Sequence, residues 1–180
     1  LSKKIPCVGP TKNNNKLETS KTFCRDLLLK ILPDNIPHFK SYDTSKEFLL
    51  DYVNYKKKDN KFYDSEIVIK KDGLFRGKGV YVENDDFNGN IESDFFDDYK
   101  DKLVIEEKLY GEEYSLMSLV DKNGNIIHFP PIRDYKRLED NNKGPNTGGM
   151  GCVIDSNNTL PFLNGDDILK SQEINKIVIN

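Results

Sequence analysis

The sequence predicts an α+β chain folded in two lobes, the smaller of them built around a glycine-rich hairpin. Three observations carry that prediction. Segments with helical spacing of apolar residues alternate along the chain with short β-branched runs, which calls for helices and strands layered together. Two of those runs, EIVIK at 66–70 and GVYVE at 79–83, flank the basic, glycine-rich stretch KDGLFRGKG and read as a hairpin. Only 36% of the 180 residues are hydrophobic against 32% charged, so the core must be thin or divided between lobes.

In chain order, Thr19 and Ser20 precede Cys24, Leu27, Leu28, Ile31 and Leu32, which share one helical face until Pro33 stops the pattern, so a helix is expected over 19–32. A second begins at Thr44, with Glu47 three residues on as a capping box, and buries Phe48, Leu49, Tyr52 and Val53. The polar run KKKDNK, 56–61, separates it from the hairpin. Residues 84–102 are acidic and asparagine-rich, with Phe95, Phe96 and Tyr99 as anchors, and either a short helix or a loose excursion fits them. Strand signals resume in LVIEE, 103–107, and EYSLMSLV, 113–120; the turn DKNGN then leads into IIHFP. RDYKR, 133–137, reads as a basic strand before GPNTGGMG, 144–151, a flexible glycine loop. A last helix is expected over 166–178, carrying Ile168, Leu169, Ile174, Ile177 and Val178. The lobes are expected to divide as 1–35, 36–103 around the hairpin, and 104–180.

Composition excludes several classes. With 27 basic and 30 acidic side chains the net charge is −3, which supplies no bulk attraction to nucleic acid or membrane. Cys7, Cys24 and Cys152 are odd in number and far apart, lacking the spacing of a disulfide framework or zinc knuckle, so reduced thiols in a cytoplasmic setting are expected. No apolar run reaches membrane-spanning length.

Several segments could carry chemistry. Gly73, Gly77 and Gly79 let backbone approach a ligand closely while Lys70, Lys71, Arg76 and Lys78 gather positive charge, which suits a polyphosphate. The spacing is not that of a Walker A loop or a dinucleotide fingerprint. Solvated lysines on a glycine hairpin are the competing reading, although pleat alternation from Val68 would set Lys70 on a face where an unpaired ammonium is costly. Lys21 falls in the first turn of a helix, where the dipole is positive, so it needs an anion nearby. Glu106, Glu107, Glu112 and Glu113 cluster around Lys108 and Gly111; inward-pointing carboxylates there could accept from ribose hydroxyls or an adenine amine, and a solvated acidic turn is the alternative. Arg133, Asp134, Lys136 and Arg137 beside the glycine segment could hold a phosphate or carboxylate, or keep an edge strand soluble. His38 and His128 stand alone and receive no catalytic role.

Taken in order, GPTKNNNKLETSKTF, IVIKKDGLFRGKGV, VIEEKLYGEEYS, RDYKR and GPNTGGMG resemble the glycinamide ribonucleotide synthetases, the phosphoribosylamine-glycine ligases of purine synthesis. The blocks run from Val8 to Gly151, and GPNTGGMG after a D-x-K-R strand is the most diagnostic. The resemblance implies an ATP-grasp fold, incomplete here, with a small lid lobe and part of the larger lobe. It implies a reaction in which ATP phosphorylates the glycine carboxylate and 5-phosphoribosylamine attacks the acyl phosphate. By position, Lys21, Lys70 and the Gly73, Gly77, Lys78 and Gly79 loop would take ATP phosphates. Glu106, with the backbone at Glu107 and Leu109, would frame the adenine, and Glu113 the ribose. Lys136 and Arg137 would be catalytic, and Asp134, Asn146, Thr147, Gly148 and Gly149 would line the substrate side.

The segment departs from the family where Tyr135 replaces the histidine of D-H-K-R, where Lys71, Phe75 and Arg76 replace small residues, and where SNNTL replaces the usual turn. Because the chain starts at Leu1, almost at once on VGP, a piece of a longer protein is expected. The resemblance places an amino-terminal domain before Leu1 and the ligands of Mg2+ or Mn2+ after Asn180, on the same full-length chain, with no metal ligand inside these residues. The segment alone is then not expected to be an efficient ligase, and a degenerate, non-catalytic ATP-binding module is the alternative.

Overall fold

The computed structural model describes residues 8–55, 66–75, 78–86, 99 and 101–180. The expectations for Gly77 and Arg76 in the glycine loop, for the Val53 side chain, and for Phe95 and Phe96 lie outside the described residues, as does most of the stretch 84–102.

A short turn, α1 (Lys16–Thr19), leads into α2 (Lys21–Ile31). Ser20 is the N-cap: its backbone is extended and its hydroxyl accepts from the Phe23 amide at 3.1 Å, so the expected helix at 19–32 is trimmed by the cap at one end and by Leu32 and Pro33 at the other. Strand β1 (Phe39–Tyr42) was not foreseen, because FKSY is too short and too polar to show a period. Next comes α3 (Ser45–Tyr55). Its first turn realises the capping signal with a shift: Thr44 Oγ1 accepts from the Glu47 amide at 3.2 Å, while the Glu47 carboxylate accepts from Asp43 rather than from the cap itself.

The hairpin is β2 (Ile67–Lys71) with β3 (Val80–Val82), antiparallel in the register Val68 to Val82 and Lys70 to Val80. Strand β4 (Leu103–Glu107) joins it, giving a four-stranded sheet in the order β1-β4-β2-β3. The sheet therefore crosses the expected division between 103 and 104. Because opposed residues of an antiparallel pair share a face, Ile69 with Ile105 and Lys71 with Leu103 lie on one side, and Val68 with Glu106 and Lys70 with Val104 on the other. The first side carries the core, where Ile67, Ile69, Leu103 and Ile105 pack with Tyr42, Phe48, Tyr52 and Tyr99. Strand β4 is buried on both faces, so even Glu106 is 3% exposed.

Beyond β4 the chain forms two separate hairpins, β5 (Ser118–Val120) with β6 (Ile126–His128) and β7 (Arg133–Glu139) with β8 (Lys143–Val153), before α4 (Gly165–Ile179). The strand expected over 113–120 shrinks to β5 plus an isolated pairing of Ser115 with Ile132. Helix α4 starts in a full capping box between Asn164 and Asp167, and its Asn175 and Ser171 bond Leu116, Ser118 and Tyr114. Among the described residues, no helix is long and apolar enough to cross a membrane.

The largest departure from expectation is GPNTGGMG. It is strand β8, not a free loop: Arg133 pairs with Val153, Asp134 with Cys152, Tyr135 with Gly151 and Arg137 with Asn146. Pairing needs only backbone groups, so a segment that is half glycine satisfies it. The ladder slips between Tyr135 and Arg137; the surplus residues on β8 include Gly149, and both it and Gly151, at the last pair before the slip, have positive φ.

Candidate functional site

The polar face of the four-stranded sheet turns toward the start of α2. Lys21 opens that helix, and the anion its position calls for is Asp72, in the turn after β2. Asp72 Oδ1 accepts from the amides of Lys21 and of Thr22, the latter at 3.3 Å, and Oδ2 accepts from the Ser20 hydroxyl at 3.0 Å. A carboxylate from the hairpin thus caps a helix 51 residues away and offsets its dipole. Lys21 Nζ donates to the Gly73 carbonyl at 2.7 Å, which ties the root of the glycine turn to α2. Burial pulls the Lys21 ammonium below the ordinary lysine range; Asp72 opposes that pull, and Lys70 adds to it.

Lys70 projects from β2 onto the same face, and its Nζ donates to Glu106 Oε2 at 2.6 Å. Glu106 is held a second time by Arg25 of α2, Nε to Oε1 at 2.6 Å and Nη2 to Oε2 at 2.9 Å. Burial disfavours the carboxylate, but the Arg25 fork and the Lys70 ammonium outweigh it and leave Glu106 below the usual range. Pleat alternation had set Lys70 on a costly face; Glu106 is what makes that face tolerable. Glu107, on the opposite side of β4, turns its carboxylate to the His38 amide at 2.9 Å. Leu109 is exposed, beyond Lys108, which is paired with Glu66 at 2.7 Å. Hydrogen bonds from Lys108, Tyr110 and Asn84 hold the Glu66 carboxyl down at about 2.

A second group lies on β7. Lys136 Nζ contacts Glu113 at 2.5 Å and Asp134 at 3.0 Å; partial burial disfavours its charge, and these two carboxylates more than compensate, raising its pKa. Asp134 Oδ1 is buried and has no partner among the described residues. Arg137 donates to Asp86 at 3.0 Å and to the Gly144 carbonyl at 2.8 Å. Thr147 Oγ1 donates to the Lys136 carbonyl at 2.9 Å and accepts from the Gly149 amide at 3.1 Å, which spends one loop amide internally.

Between the β2–β3 hairpin and the β7–β8 hairpin lies a cavity of about 910 Å³, bordered by Lys78, Asp86, Arg137, Asn146, Thr147 and Gly148. The fold therefore gathers residues 51 or more positions apart, Asp86 and Arg137 among them, onto one cleft. Sequence reasoning missed Arg25, Asp72 and Asp86. Arg25 had a signal, one turn after Lys21 on the same helical face; Asp72 had one in the D-G turn.

Gly144 opens the glycine strand with φ +76°, and a Cβ there would meet Glu139 Cγ at 2.9 Å. Glu139 can swing aside, so backbone strain dominates: Gly144→Ala is expected to lower stability by roughly 1–2 kcal/mol in urea unfolding, whereas Gly165→Ala, where a Cβ meets open space and φ is not positive, is expected to stay within about 0.5 kcal/mol.

A lysine-bearing glycine hairpin on a small antiparallel sheet, closing over a cleft whose far wall is a D-x-K-R strand, defines an ATP-grasp domain. The chain matches the model of the phosphoribosylglycinamide synthetase ATP-grasp (A) domain over residues 19–180, and it belongs to that family. A phosphoribosylamine–glycine ligase of Methanocorpusculum labreanum is 35% identical across 98% of this chain and 39% of its own length. The crystal structure of the phosphoribosylamine–glycine ligase of Thermotoga maritima superposes with a TM-score of 0.68 at 32% identity, over 96% of this chain and 42% of that one. The ADP complex of N5-carboxyaminoimidazole synthetase from Staphylococcus aureus, 15% identical, shares the fold with a TM-score of 0.56, over 91% of this chain and 38% of that one. The chain thus spans about two fifths of the length of the curated relatives it matches.

Proposed function

We propose that this chain is the ATP-binding section of a ligase that joins glycine to 5-phosphoribosylamine. The observation that carries the reading is the convergence of Lys21 and Lys70 beside the Gly73 turn, on the one sheet face that also holds a buried carboxylate. The γ-phosphoryl group of ATP passes to the glycine carboxylate, giving glycyl phosphate and ADP. The amine nitrogen of phosphoribosylamine then attacks the carbonyl carbon; the C–N bond forms, phosphate leaves, and the nitrogen loses a proton. No protein nucleophile is needed, so the protein's part is positioning and charge stabilisation.

Lys21, Lys70 and Lys78, with the amides around Gly73 and Gly79, hold the phosphates. Glu106 and the backbone of Glu107 and Leu109 border the adenine, and Glu113 serves the ribose hydroxyls. Lys136 lies at the transferred phosphoryl group and Arg137 beside it. To reach phosphate oxygens they exchange Glu113, Asp134 and Asp86, their side-chain partners in this structure. The unpartnered Asp134 Oδ1 accepts from a substrate amine, with Asn146, Thr147, Gly148 and Gly149 alongside. A divalent cation would neutralise phosphate charge during transfer. Among the described residues no group of three His, Cys, Asp or Glu side chains could hold a metal ion.

The test has two parts. This chain is expected to bind ATP in calorimetry, and Lys70→Met to weaken binding by roughly 10- to 100-fold, the loss of a charge-assisted contact. Residues 19–180 placed in the corresponding segment of the Methanocorpusculum ligase are expected to sustain continuous turnover of ATP to ADP only when glycine and phosphoribosylamine are both present. Continuous turnover with one of the two substrates left out, or unaltered ATP binding by Lys70→Met, would overturn the assignment.

A further inference from the structure

Arg25 belongs to none of the motifs that mark the phosphate site, yet it is the strongest partner of the carboxylate that holds Lys70. Its guanidinium takes both oxygens of Glu106, at 2.6 and 2.9 Å, while Lys70 takes one, at 2.6 Å. The Glu106 side chain is 4% exposed, so it has almost no recourse to water, whereas Arg25 and Lys70 keep 21% and 24% of their side-chain surface. A planar fork fixes the carboxylate in place and orientation; an ammonium on a flexible stem does not.

The asymmetry has a consequence for ligand binding. When Lys70 swings from Glu106 to a phosphate, Glu106 retains its counter-charge because Arg25 stays. Were Arg25 absent, Lys70 would be the only cation on a buried carboxylate, and any phosphate would have to compete with that carboxylate for it. We propose that Arg25 is a positioning residue for the nucleotide phosphates: by holding Glu106 it sets where Lys70 is presented and frees Lys70 for the ligand. The inference rests on the ATP-site reading above.

Calorimetry or ligand-observed NMR on the whole chain separates this from a simple tie between α2 and β4, using ATP and adenosine as probes. Arg25→Met is expected to weaken ATP binding about tenfold while adenosine affinity moves by less than about twofold, because adenosine offers no phosphate to draw Lys70 away and Glu106, at the adenine, keeps Lys70 as its counter-charge. In a Glu106→Gln background, where the buried charge is gone, Arg25→Met is expected to weaken ATP binding by less than about twofold. Arg25→Lys keeps the charge without the fork and guards against a variant that fails to fold; its loss is expected to be smaller and again confined to ATP. Equal losses for ATP and adenosine, or an undiminished Arg25→Met loss in the Glu106→Gln background, would overturn the inference while leaving the ATP site intact. A parent chain that binds no ATP would instead overturn the reading of the site, and this inference with it.

Discussion

Glu106→Ala is expected to destabilise the chain by about 3 kcal/mol, seen as a fall of roughly 6–12 °C in thermal midpoint. The substitution strands Arg25 and Lys70 against each other on a largely dry sheet face. Both cations keep some contact with water, so part of the loss is recovered, and the low end of the range for breaking a buried pair applies. The pH dependence follows from the same contacts. Arg25 and Lys70 hold Glu106 below the ordinary glutamate range in the folded chain, so its contribution is fully present above the unfolded value and is lost as the pH falls through the folded one. Glu106→Gln keeps the shape without the charge and is expected to remove that part of the acid limb of the stability profile. Urea midpoints measured from pH 7 down to pH 3 check both; an unchanged acid limb in Glu106→Gln would contradict the linkage.

Phe48→Ala is expected to cost about 3–5 kcal/mol, enough to leave much of the chain unfolded at room temperature. Phe48 is fully buried, with its ring 5.5 Å from those of both Tyr42 and Tyr52, and it forms the centre of the core between α3 and the sheet. The small core leaves few neighbours able to collapse into the vacated space. Leu50, two residues along the same helix and 59% exposed, is the control: Leu50→Ala is expected to stay within about 0.5 kcal/mol. Chemical denaturation followed by far-ultraviolet circular dichroism measures both.

The elements that could be read in advance are those whose signals are local. Helix α2 is announced by the Ser20 cap and by Pro33, α3 by Thr44 and Glu47, the β2–β3 hairpin by its alternation, and α4 by apolar spacing. Each depends on contacts between residues a few positions apart. Strand β1 escaped because four residues with one tyrosine buried carry no period, and β8 escaped because glycine suggests freedom when the chain uses it for backbone pairing.

The site divides in the same way. Which residue types could meet a phosphate, Lys21, Lys70 and the glycines between 73 and 79, was legible, as was the D-x-K-R strand. Their partners were not: Arg25 meets Glu106 across 81 positions, Asp72 caps α2 across 51, and Arg137 meets Asp86 across 51. Sheet register chooses those partners, since placing Val68 opposite Glu106 puts that carboxylate on the same face as Lys70, and a slip of one residue would turn it into the core. The sequence by itself determined the helices, the hairpin, the stock of charged groups and the family. Only the tertiary structure decided which opposite charges meet, because a carboxylate buried beneath a helix finds its cations through packing, not through proximity along the chain.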